Sequence, residues 1–376
     1  MRVEKVEYRD NKWNIEKRNI FGNTDIVFTF GDRDAIKNID IYEKLKKLYP
    51  SADIVGCSSG GNILGDSICE CKIIATAISF NTGSVRVAIK DFSPIDNQSE
   101  VSKKLISLLP KENLKHIFIL SDGLNMNGSA LVRGANEAVN HKIPITGGLA
   151  GDGLDFEETV VRVNCIAKSN RVVAVGFYGD SIYIESGCYA GWSEFGILRK
   201  ITKSVDNIVY EIDGKPALEL YKKYLGEYAN NLPQSALDFP ISIKATPFDN
   251  AIIRSVLGVD EKNNALIFAG DVPEGYLGRL MKTNIDGLID GAGIAAKQIH
   301  RINNDTALGL VVSCIGRRLV LKQLTDEEIE SISDTLGSSV ELVGFYSYGE
   351  ISPSLNEPIS CNLHNQTMTL TVIYED

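Results

Sequence analysis

Apolar residues along this chain gather into short runs that end in glycine, and the runs recur in a fixed order. Asp25-Ile26-Val27-Phe28-Thr29-Phe30-Gly31 has the continuous apolar character of a buried strand. Ile36, Ile39, Leu45 and Leu48 follow at spacings that put them on one face of a helix, which stops at Pro50. Asp53-Ile54-Val55-Gly56-Cys57-Ser58-Ser59-Gly60-Gly61 predicts a short strand running into a glycine loop, and residues 72–78 predict a further strand.

This order returns twice, so the chain contains an internal repeat. In the second unit residues 116–123 form a strand ending in a turn, and 129–139 have helical spacing. Pro144-Ile145-Thr146-Gly147-Gly148-Leu149-Ala150-Gly151-Asp152 is again strand then glycine loop, with strand-like runs at 160–163 and 172–177. In the third, residues 308–316 read as the strand and 326–336 as the helix, with Thr325 as cap and Glu328 completing a capping box. Residues 341–351 repeat the glycine loop and 367–373 the last strand. Residues 181–300 carry extra material: a hairpin over 197–204 and 208–212, a helix from Pro216 to Leu225 closed by Gly226, and a second helix over 285–299. The pattern predicts an α+β protein, layered mixed β-sheets with outer helices, built from repeated β-α-β-(Gly loop)-β units in two closely packed domains, 22–205 and 206–374.

Glycine loops let the backbone approach a ligand and leave N–H groups to hold an anion, so three equivalent loops predict a shared binding face. The loops also carry a resemblance. Val55-Gly56-Cys57-Ser58-Ser59-Gly60-Gly61 and Gly147-Gly148-Leu149-Ala150-Gly151-Asp152 resemble the N-terminal FIST domain. Ile212-Asp213-Gly214-Lys215-Pro216-Ala217 with Leu220-Tyr221 is similar to the junction into the C-terminal FIST domain. So are Cys314-Ile315-Gly316-Arg317, the stretch 344–351 and His364-Asn365-Gln366-Thr367 to motifs within that second domain. The resemblance covers about residues 22–374. It implies an intracellular, non-enzymatic sensory protein for signal transduction that binds a small ligand, an amino acid or related metabolite. Some members of the family are described as haem-binding nitric oxide sensors, which gives an alternative in which haem is the cofactor and a partner kinase the target. Both FIST modules use up the length, so a separate signalling protein is the expected partner.

The candidate ligand-binding residues are Cys57, Ser58, Ser59, Gly60 and Gly61 from the first loop, and Gly147, Gly148, Ala150, Gly151 and Asp152 from the second. Tyr346, Tyr348, Gly349 and Glu350 come from the third, joined by Arg317, His364 and Asn365. Asp152 and Glu350 suit an ammonium and Arg317 a carboxylate. Tyr346 and Tyr348, two apart, are placed to face one wall. His364 is the best haem ligand among four histidines. Gly56-Cys57-Ser58-Ser59-Gly60 also satisfies the nucleophile-elbow pattern, a hydrolase alternative resting on Ser58 or Cys57, although that motif needs a helix directly after the turn. No metal site is expected, because Cys69-Glu70-Cys71 has no second pair at zinc-like spacing.

Composition narrows the partners. With 39 basic and 49 acidic residues the net charge is −10, and the densest basic run, Lys44-Leu45-Lys46-Lys47, reads as a wet helix face; nucleic acid is not expected. No apolar run approaches the ~20 residues that span a bilayer, and residues 1–5 lack a signal-peptide core. Seven scattered cysteines do not indicate a disulfide framework, so a cytoplasmic protein with reduced thiols is expected.

Overall fold

The computed structural model describes residues 1–15, 18–20, 22–300, 306–354 and 357–376, with the side chains of 357 and 358 left aside. Each repeat builds one sheet. Unit one contributes an inner strand (Ile26–Gly31), helices Arg33–Lys37 and Ile39–Leu48, a loop-bearing strand (Asp53–Ser58), a hairpin (Asn62–Leu64 and Ser67–Cys69) and a closing strand (Ile73–Ser79). In unit two the same roles fall to Leu114–Ser121, helix Gly128–Ala138, Ile145–Leu149, the hairpin Val161–Val163 with Ile166–Lys168, and Arg171–Tyr178. Unit three uses Ala307–Cys314, helices Ile315–Leu321 and Thr325–Leu336, Val340–Ser347, the hairpin Gly349–Ser354 with Glu357–His364, and Met368–Glu375.

Within every sheet the inner strand pairs parallel with the loop-bearing strand and antiparallel with the closing strand. An antiparallel strand follows beyond it: Arg2–Arg9, Ser84–Asp91 or Ile182–Tyr189. The other edge is filled by exchange. Unit one's hairpin pairs with the loop-bearing strand of unit three, unit two's with unit one, and unit three's with unit two. The three sheets are thereby cross-linked cyclically, with helices outside. Their inner faces share one core in which Phe30 stacks on Phe345 at 4.6 Å and Phe28 meets Phe118 edge-on at 5.6 Å.

Equivalent glycines make this packing possible. Gly56, Gly147 and Gly344 lie opposite Thr29, Ile119 and Val311. A Cβ at any of them would sit 1.9–2.0 Å from the partner's carbonyl oxygen.

Residues 193–283 form a separate lobe around a nine-stranded sheet with its own core and the helix Ala217–Leu225. It is inserted between the edge strand and the first helix (Ile285–Ala296) of unit three. Residue 205 lies in this lobe, at the turn of the hairpin Arg199–Val205 and Ile208–Ile212. The expected elements are present, with one local correction. Thr325 lies inside the last unit's helix rather than capping it, and its hydroxyl donates back to the Lys322 carbonyl. Glu328 is drawn inward to a buried arginine instead of closing a capping box. Cys69 and Cys71, expected as reduced thiols, are joined in a disulfide; the other five cysteines are free.

Candidate functional site

The three glycine loops do converge, and they bond to one another. Gly60 N–H donates to the Tyr346 carbonyl (2.8 Å), Gly151 N–H to that of Ser58 (3.0 Å) and Tyr348 N–H to that of Leu149 (3.2 Å), which closes a ring around the pseudo-threefold axis. Ser59 N–H reaches the Gly31 carbonyl, Ala150 N–H that of Ser121, and Gly61 N–H the Ser59 hydroxyl. The amides expected to cradle an anion are thus committed inside the protein, because three loops meeting on an axis bury their backbone and must satisfy it.

Two larger cavities open beside this ring. The first, about 450 Å³, is polar: Asp32, Arg33 and Asp34 follow unit one's inner strand, Ser59 to Asn62 come from its loop, and Cys69, Glu70 and Cys71 from its hairpin. Asp152, Gly153 and Asp155 come from unit two and Arg318 from unit three. Burial beside Asp34 raises the Asp32 pKa against the pull of Lys72. Arg33 Nη1 lies 3.5 Å from Asp152 and 3.4 Å from Glu157. Arg318 donates Nη1 to the Gly60 carbonyl and sits 5.6 Å above the Tyr346 ring. Gly61 holds φ +151°, which favours glycine; a Cβ there would also displace the tip of the Arg318 side chain.

Asp152 fastens the cavity wall. It accepts the amides of Phe156, Glu157 and Glu158 and the Tyr348 hydroxyl. Burial opposes its charge, but these donors prevail and hold its pKa below the ordinary carboxylate range.

The second cavity, about 580 Å³, lies between the end of the three-sheet body and the inserted lobe. Leu124, Met126, Leu149, Leu154, Phe156, Ile315 and Leu319 line it from the body, with Cys314 and Tyr348. Leu237, Val256, Leu257, Ala269, Ser255 and Gln234 are among the lobe's contributions.

Of the residues singled out in the sequence, Ser59, Gly60, Gly61 and Asp152 line the polar cavity and Tyr348 the apolar one. Arg317 lines neither. Fully buried, it donates Nε to Glu328 (2.9 Å), Nη1 to the Ala190 carbonyl and Nη2 to that of Leu288, and Nη2 also lies 2.8 Å from the Glu328 carboxylate in an ion pair. Tyr346 points the same way, donating to Glu328 at 2.7 Å, so it shares no wall with Tyr348. Glu350 is buried with Ser347 and Thr367 as donors, and desolvation pushes its pKa up to about 7. Cys57 is a core residue whose thiol burial keeps protonated. Ser58 accepts the Val160 amide, and a strand rather than a helix follows its loop, so no nucleophile elbow forms. Gly147, Gly148, Ala150, Gly151 and Gly349 are packing positions beneath or within the ring. Asn365 is buried, and neither of its amide atoms finds a partner among the described residues.

His364 lies on a third cavity of about 260 Å³, below the usual ~300–1,000 Å³ of a drug-sized site. Its Nε2 is held 3.0 Å from the Ser352 carbonyl, and burial lowers its pKa to about 4. Among the described residues, the apolar cavity has no histidine in its wall. The residues present do not fit a haem.

Arg33, Arg318, Asp32 and Asp155 escaped the sequence reading. The position of Asp32 held the one usable signal: by pairing register it is equivalent to Asp122 and to Cys314 at the ends of the other units' inner strands.

The architecture is a three-sheet body whose glycine loops converge beside a charged cavity of about 450 Å³. The chain matches the FIST N domain over residues 25–215 and the FIST C domain over 217–353. It belongs to the FIST family, whose domains are signal-transduction sensory modules. It is 26% identical to an uncharacterized protein of Methanocaldococcus jannaschii, over 96% of this chain and 75% of that protein. A crystal structure of cyanuric acid hydrolase from A. caulinodans aligns with 7% identity and a TM-score of 0.35, over 94% of this chain and 90% of the other. Among the described residues no helix is long and apolar enough to cross a membrane.

Proposed function

We propose that this protein is a sensor for a small zwitterionic metabolite of the amino-acid class, bound in the polar cavity. The observation that carries this reading is the pairing of two arginines, Arg33 and Arg318, with the carboxylates of Asp32, Asp34 and Asp155 around about 450 Å³. A ligand carboxylate takes the guanidinium side, where planar N–H donors match its geometry. Its ammonium takes the aspartate side. Binding rather than turnover is the output. On this reading the protein works in the cytoplasm and hands its state to a separate signalling protein.

The test is thermal melting against the standard amino acids and small carboxylates, followed by calorimetric titration of any that stabilise. A ligand at a hundred times its Kd adds about 2.7 kcal/mol. Arg33→Ala and Arg318→Ala should each weaken binding by about tenfold or more, the loss of one charge-assisted contact. A panel in which no zwitterion shifts the melt, or binding indifferent to both substitutions, rejects the proposal.

A further inference from the structure

The cavity between the body and the lobe differs from the polar one in a decisive respect: among the described residues, no charged one lines it. Its walls are aliphatic and aromatic, and its polar groups are few and neutral, chiefly Ser255 and Gln234 from the lobe and Cys314 from the body. Burial keeps the Cys314 thiol protonated, so it adds no charge. At about 580 Å³ it falls within the range of a preformed small-molecule site. Around it Leu154, Phe156 and Leu257 remain 63%, 49% and 51% exposed, a concentration of water-facing apolar surface that binding would cover.

We infer that this cavity is a second ligand site, for an uncharged and predominantly apolar small molecule. An ion is excluded by chemistry. Carrying a carboxylate or ammonium into this lining forfeits its hydration with no opposite charge to receive it. A neutral ligand gains from burial against Met126, Phe156 and Leu237 and places a hydroxyl, carbonyl or amide near Ser255 or Gln234. The location gives the site consequence, because its ligand touches the body and the lobe together. One wall is also shared with the polar cavity. Along residues 152–156, Asp152, Gly153 and Asp155 line the polar side while Leu154 and Phe156 line the apolar side. Phe156 stacks on Tyr348 at 4.8 Å, and Tyr348 donates to Asp152. The second site does not depend on what the polar cavity binds.

The test uses N-phenyl-1-naphthylamine, an uncharged apolar fluorophore, titrated into the full chain. Saturable enhancement at one probe per chain is expected. Ala269→Trp, which fills the cavity from the lobe, should abolish it. Leu257→Asp, a change at a half-exposed position that the fold tolerates, should weaken it by about tenfold or more through the desolvated charge. Arg318→Ala should bind the probe like the wild type, which separates this site from the polar one. Circular dichroism and melting verify that each variant is folded. The inference fails if the wild type gives no saturable binding, or if folded Ala269→Trp and Leu257→Asp bind the probe unchanged. It fails equally if sedimentation shows the chain self-associating through this face with no probe bound.

Discussion

Replacing Glu328 with glutamine tests the account of the buried arginine most directly. Glu328 is fully buried; it accepts three hydrogen bonds, one each from Arg317 Nε, Ser313 (3.1 Å) and Tyr346, and lies 2.8 Å from Arg317 Nη2 in an ion pair. The substitution is nearly isosteric, so no cavity term enters. It removes the negative charge and leaves a guanidinium that is 0% exposed with only neutral partners. Breaking one side of a buried pair costs about 3–5 kcal/mol, a large share of the 5–15 kcal/mol that holds a typical domain. Arg317→Met should cost a similar amount, because the Ala190 and Leu288 carbonyls and the Glu328 carboxylate all lose a donor. The double change Arg317→Met with Glu328→Leu should cost less than the sum of the singles by about 2 kcal/mol or more, since it removes both charges together. Urea unfolding followed by circular dichroism and by tryptophan fluorescence reads these values, and coincident transitions verify a cooperative reference. A Glu328→Gln protein within about 1 kcal/mol of the wild type would refute the reasoning, and with it the assignment of Arg317 to structure rather than to a ligand.

Two further outcomes follow from the geometry. Gly344→Ala and Gly56→Ala should each cost upward of about 3 kcal/mol by denaturation, because the new Cβ meets a strand carbonyl that cannot move away. Gly337→Ala, at φ +78° and ψ 173° with open space around it, should cost about 1–3 kcal/mol from backbone strain alone; losses there as large as at Gly344 and Gly56 would show that the close approach is not what those positions require. Glu350 gives a pH signature. Its pKa rises from 4.5 to about 7 on folding, so folding takes up a proton in that window. Its contribution therefore declines as pH rises from about 4.5 to 7, by about 3 kcal/mol in total, and is constant above. Buried His116 and His364, lowered to about 3 and about 4, act with the opposite sign over the acidic range, so the difference between wild type and Glu350→Gln isolates the carboxyl. A difference curve that is flat from pH 4.5 to 7 would show that Glu350 is not buried as described.

Much of the fold was legible in the sequence because a repeat states its own boundaries. The recurrence of apolar strand, helix, glycine loop and strand locates the three inner strands and the three loops, and the lobe appears as the stretch the repeat does not explain. The hairpin exchange was not legible. Val343 pairs with Leu64 across nearly the length of the chain, and no local pattern encodes a partner so distant. The loop amides were misjudged for the same reason: glycine permits a free N–H, but whether it stays free depends on which other loop arrives. Arg317 and Arg318 show the limit at its finest scale. They are adjacent on the helix Ile315–Leu321, and successive helical residues point about 100° apart. One turns into the core to meet Glu328, and its neighbour turns out to the polar cavity. The motif identified the turn of helix that matters and not the residue on it.

The pseudo-threefold arrangement also explains why the two cavities lie off the axis. A closed ring of loops has three equivalent clefts around it, and the residue after the one paired opposite Ser58, Leu149 or Tyr346 stands at the mouth of each. In unit one this is Asp32, which faces the charged cavity. In unit two it is Asp122, buried and fully occupied by the amides of Leu124, Asn125 and Asn170 and the Thr159 hydroxyl, so that cleft is filled by its own chain. In unit three it is Cys314, which faces the apolar cavity. One backbone position has thus taken three chemistries: a carboxylate on a polar cavity, a carboxylate turned to holding loops, and a neutral thiol on an apolar wall. The lobe inserted before unit three's inner strand covers the last of these clefts and makes it a cavity. Repetition supplied the frame and the glycines that close it, and departure from repetition at its edge supplied two cavities of opposite polarity on either side of Tyr348 and Asp152.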